Sequence, residues 1–131
     1  MNTRTVSLLF GFIFVAVGIL GFIPNGLVAY DGIFAVNAVH NLVHILTGLV
    51  FLAAVMKYQG YEGRVLKIVG AAYVAVTTVG FLTSGNMMLG MVHINDADRW
   101  LHFGLAVAIL GGGFLPSKDK PRLTADAIGV R

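Results

Sequence analysis

The sequence predicts an all-α membrane protein, a bundle of four transmembrane helices built from two tandem helical hairpins. Three observations predict it. Hydrophobic residues make up 57% of the 131-residue chain and charged residues only 11%, against ~25% charged in soluble globular chains. Four segments of roughly 20 residues, the length that covers ~30 Å of hydrocarbon, are nearly free of charge. The second and fourth of these open on the same polar pattern, 58 positions apart. The composition excludes a soluble enzyme, a nucleic-acid binder, a disordered tail and a disulfide-stapled module. The chain has no cysteine, which removes thiolate metal sites as well.

The first span, residues 6–23, carries no charge and ends at Pro24-Asn25-Gly26. Its length and the lack of a small-x-small site after it read as a retained helix rather than a cleaved signal. The second span, 37–56, is apolar apart from Asn37, His40, Asn41, His44 and Thr47. A short polar turn with Gly60 and Gly63 follows. The third span, 65–83, has one charge, Lys67, placed to snorkel to the interface. The fourth, 96–115, is charged only in its first turn and stops at Pro116. Residues 1–115 thus form one membrane domain, with hairpins at 6–56 and 65–115, and 116–131 form a polar tail. All spans must be helical, because a backbone in lipid has to satisfy its own hydrogen bonds.

Basic residues set the orientation. Arg4, Lys57, Arg64, Lys67, Lys118, Lys120, Arg122 and Arg131 fall on one side, and Arg99 alone on the other. Such asymmetry predicts both termini in the cytoplasm. The lipid bilayer is the expected partner, with Trp100 in its interfacial belt and the basic run 118–122 near anionic headgroups. No nucleic acid is expected.

Residues 32–44 align without a gap onto 90–102. Gly32/Gly90, Asn37/Asn95 and His44/His102 are identical, and His40 faces Asp98 in the alignment. More loosely, Gly21-Phe22-Ile23 matches Gly80-Phe81-Leu82. These matches predict a duplicated hairpin, its copies running in the same sense about an axis along the membrane normal. The stretches 36–44 (with Gly48) and 94–102 resemble the two signature stretches of an uncharacterised bacterial family, domain of unknown function 4383. The resemblance covers about residues 4–115. It implies a four-span protein of the bacterial inner membrane and carries no activity, substrate or cofactor.

Residues three and four apart share a helix face. Asn37, His40 and His44 therefore form one polar stripe, and Asn95, Asp98 and His102 another. As structural elements, Asn37 and Asn95 are N-caps, Asn95 with Asp98 resembles a capping box, and the histidines are hydrogen-bonding glue between helices. As a ligand site, His40, His44, Asp98 and His102 suit a transition metal, or His44 and His102 alone suit a haem. His40-x-x-x-His44 lacks the glutamate of the zinc-protease motif. Thr77 and Thr78 are the only deep polar pair, too little for a transport or proton path. Gly104, Ala108 and Gly112 form a small-residue face, expected to pack within the bundle or else against a second copy or an unknown membrane partner. Gly11 and Gly18, with Ala71, Ala72 and Ala75, read as the same packing chemistry. No nucleophile–base pair, phosphate loop or paired acids point to an enzyme. The expected role is a non-catalytic structural or accessory membrane component. Its alternative is a membrane redox or metal-binding protein.

Overall fold

A computed structural model describes residues 1–118 of the chain. It contains four helices: α1 (Thr3–Leu20), α2 (Ala38–Lys57), α3 (Glu62–Leu82) and α4 (Asp96–Gly112). Two-residue strands sit in the α1–α2 loop, β1 (Val28–Ala29) and β2 (Phe34–Ala35), and in the α3–α4 loop, β3 (Met87–Met88) and β4 (Val92–His93). The first pair runs parallel and the second antiparallel. Most of the tail, with Lys120, Arg122 and Arg131, lies outside the described residues.

Caps move the helix ends away from the hydropathy boundaries. α1 starts three residues ahead of the apolar run, because Asn2 Oδ1 accepts the Thr5 N–H at 3.0 Å. It ends before Ile23 because Asn25 Nδ2 takes the Leu20 and Ile23 carbonyls, at 3.1 and 2.7 Å. α3 absorbs Glu62, Gly63 and Arg64, which hydropathy leaves in the turn. Glu62 is 1% exposed, and its Oε2 accepts the Gly60 N–H at 2.7 Å. Gly60 has φ +85°, a conformation that side chains resist.

α1, α2 and α3 are long and apolar enough to cross a membrane. α4 is shorter, at 17 residues, because Asp96 and the cap at Asn95 fix its start and Gly113 its end. The apolar helices make this a membrane protein by length and composition. Its outer surface agrees: Phe12, Leu46, Ile68, Val107 and Phe114 are all exposed, while the interior holds Val6, Phe14, Phe51, Leu66, Tyr73, Ala106 and Ile109.

The tightest helix pairs are α1 with α2 and α3 with α4, and glycines set both distances. A Cβ on Gly48 would lie 2.7 Å from the Gly11 carbonyl oxygen, and one on Gly70 would lie 2.6 Å from the Leu110 backbone. Such spacing brings helix backbones into direct contact. This corrects part of the small-residue reading. Gly11 and Gly18 do pack in the bundle, but Ala71, Ala72 and Ala75 are exposed. Gly104 and Ala108 also face outward, with open space around Gly104, and only Gly112 of that face is buried, against Val6. A helix that is apolar all round gives no periodic signal of which face turns inward.

The two hairpins meet along the core and at both ends. At one end, here the terminal end, the Thr3 N–H donates to the Pro116 carbonyl at 3.2 Å. The other, the loop end, holds both long loops and the starts of α2 and α4.

Candidate functional site

The polar residues of the loop end are sorted into a rim and a buried centre. At the rim, Asn37 Oδ1 accepts the His40 N–H at 3.0 Å, and Asn95 Oδ1 accepts the Asp98 N–H at 2.9 Å. Both are N-caps. Each amide also crosses to the other hairpin. Asn37 Nδ2 donates to the Met91 carbonyl at 2.7 Å, and Asn95 Nδ2 donates to the Ile33 carbonyl at 2.9 Å. Donors and acceptors are both 58 positions apart, so each helix start clasps the other hairpin's loop.

Arg99 has a role that its sequence position did not suggest. It fastens α4 to the end of α3 by donating to the carbonyls of Gly80 at 2.9 Å, Thr83 at 3.3 Å and Gly85 at 2.5 Å, and it pairs with Asp96. A guanidinium can satisfy several orphan carbonyls at a helix C-terminus at once. Arg99→Ala is expected to lower stability by about 2 kcal/mol, since one charged hydrogen bond contributes ~1.5–3 kcal/mol and the several that Arg99 makes are partly solvated and so count for less than their sum. Arg99→Lys should recover only part of the loss. Thermal melting in detergent checks both, and an unchanged Arg99→Ala midpoint would contradict this role.

Beneath the rim lie His40, His44, Asp98 and His102, each 7% exposed or less. All four candidate ligands meet in one place. Ring centroids are 4.5 Å apart for His40–His44, 5.4 Å for His40–His102 and 6.0 Å for His44–His102. His40 Nδ1 meets the His93 carbonyl at 2.9 Å, and His102 Nδ1 meets the Asp98 carbonyl at 2.8 Å. A carbonyl only accepts, so each ring nitrogen donates. The Asp98 carboxylate does not turn back to the Asn95 cap as a capping box would. It faces the imidazoles, 3.5 Å from His102 Nδ1 and 4.0 Å from His40 Nε2.

Three residues beyond the two polar stripes complete the site. Tyr73 stacks on His102 with centroids 5.7 Å apart, and Phe14 meets His44 edge-on at 5.5 Å. His93, 7% exposed, stacks on Tyr30 at 4.0 Å and so links the two loops. Tyr73 and Phe14 also belong to the hydrophobic core. Nothing in the sequence marks His93, whose partner comes from a distant loop. Thr77 lines a cavity of about 230 Å³ with Val43, Met88 and Val92, and His40, Asp98 and His102 reach the same space.

The family model described as domain of unknown function (DUF4383) matches residues 4–115. No curated protein and no solved structure matches the chain.

Proposed function

We propose, from the premise that this chain belongs to the DUF4383 family, a non-catalytic structural or accessory component of a bacterial inner membrane. It crosses the bilayer four times. The observation that carries this reading is the outward face of α4. There Trp100, Leu101, Phe103 and Val107 are exposed, while Asp98 and His102 are buried. A water-facing helix would have the opposite arrangement. With α4 packed along α3, its modest length still serves as the fourth span.

Charge supports both termini in the cytoplasm. Arg4, Lys57, Arg64, Lys67 and Lys118 lie at the terminal end, and Arg99 at the loop end is engaged with carbonyls. A duplicated hairpin accounts for the paired caps. It also accounts for burial that recurs 59 positions on, with Gly11 and Phe14 in α1 answered by Gly70 and Tyr73 in α3. The polar rim then serves as glue between the hairpins. Gly104 and Ala108, exposed on α4, offer a face for a second copy or another membrane protein.

The chain has no cysteine, so single cysteines report topology directly. Ser84→Cys should react with a membrane-impermeant maleimide in intact spheroplasts. Gln59→Cys should react only after permeabilisation. Labelling of Gln59→Cys in sealed cells, or recovery of the chain in the soluble fraction without detergent, would overturn the reading.

A further inference from the structure

The polar rim leaves the residues beneath it unexplained. His44 is 5% exposed, and neither of its ring nitrogens has a hydrogen-bond partner among the described residues. Asp98, 1% exposed, has one carboxylate oxygen in the same condition. Helix glue consists of hydrogen bonds, and His44 makes none. A side chain with this pattern is better explained by a ligand.

The other two imidazoles are oriented for one. His40 and His102 each donate Nδ1–H to a backbone carbonyl, at 2.9 and 2.8 Å. A neutral imidazole held this way carries its lone pair on Nε2. Imidazoles that bind metal are held in this manner, one nitrogen tied to a carbonyl or carboxylate and the other on the ion. Ligand atoms of His40, His44 and His102 lie within 4.8 Å of one another. An ion at the usual ~2.0–2.1 Å metal–nitrogen distance would draw them in by about 1.5 Å, which rotation of short side chains provides.

We propose that His40, His44 and His102 bind a divalent late first-row transition ion, zinc(II) foremost, with the Asp98 carboxylate as fourth ligand or charge partner. Three imidazoles and a carboxylate suit such ions, and the absence of thiolates disfavours softer ones. The Asp98 carboxylate offsets half the charge of a dication and so lowers the cost of burying it. A haem between His44 and His102 fits less well, since the His40 ring stands within 4.5 and 5.4 Å of both and occupies the slot a macrocycle needs. The cavity bordered by Thr77, Met88 and Val92 reaches three of the four groups and gives the ion a route in. His40 and His44 belong to α2 and His102 to α4, so the ion joins the two hairpins from within.

The test uses the full chain in detergent, purified without a histidine tag and stripped with chelator. Cobalt(II) titration should develop the visible absorption of a four-coordinate nitrogen–oxygen site, displaced by zinc(II), and zinc(II) should raise the melting temperature. Second-sphere changes already weaken metal sites by ~10–100-fold, so His44→Leu and His102→Leu should each weaken cobalt binding by more than about 100-fold. Neither should show the zinc-induced rise in melting temperature. Should leucine at 44 prevent folding, His44→Gln must show the same loss. An unaltered chain that binds no cobalt, or a His44 variant that binds it as tightly, overturns the proposal.

Discussion

Gly70→Ala is expected to destabilise the bundle by about 1–3 kcal/mol, the usual range for overpacking a filled site. The added Cβ would meet the Leu110 Cα and N at 2.6 Å. Backbone atoms cannot rotate aside, so α3 and α4 must separate. Separation loosens Leu66 and Ile109, both 0% exposed. The sign is informative because alanine is intrinsically the better helix former, by ~1 kcal/mol. Gly104→Ala is the matched control. With nothing within 4 Å of its Cβ among the described residues, it should be neutral or slightly stabilising. Melting midpoints of the two variants in one detergent decide the matter, and shifts of the same sign would contradict the packing account.

Asn95→Ala should cost about 2 kcal/mol, from two separable contributions. Loss of an N-cap costs ~1 kcal/mol, and a lost hydrogen bond between hairpins another ~1 kcal/mol. Asn95→Asp divides them. It keeps the oxygen that accepts the Asp98 N–H and loses the Nδ2–H that reaches Ile33. Its midpoint should fall about halfway between those of the unaltered chain and Asn95→Ala. Asn37→Ala should match Asn95→Ala in size, since its amide plays the same two parts toward His40 and Met91. An Asn95→Asp chain as stable as the unaltered one would show that the crossing bond contributes nothing.

The apolar helices α1, α2 and α3 were legible because crossing a bilayer demands a length of apolar chain that composition displays. The polar stripes were legible because helical spacing fixes which residues share a face, and His40, His44, Asp98 and His102 do converge. The second job of Asn37 and Asn95 was not. It depends on where loop carbonyls 54 and 62 residues away arrive. In sequence Arg99 is only the odd charge on its side, because the carbonyls it holds become acceptors only once α3 ends at Leu82. Glu62 looked like a turn residue and lies buried inside a helix start. Spacing does not reveal that Ala71, Ala72 and Ala75 face outward, or which of the two expected packings Gly104 and Ala108 take, because small apolar residues suit lipid as well as neighbours.

The crossed amides also impose an order on biosynthesis. The Ile33 carbonyl must wait for Asn95, made 62 residues later, a delay of roughly 3–12 s at ~5–20 residues per second on the ribosome. During that interval the nascent first hairpin holds an unlatched loop. Both latches need a residue of the second half, Met91 for one and Asn95 for the other, so the finished molecule is locked by its second half.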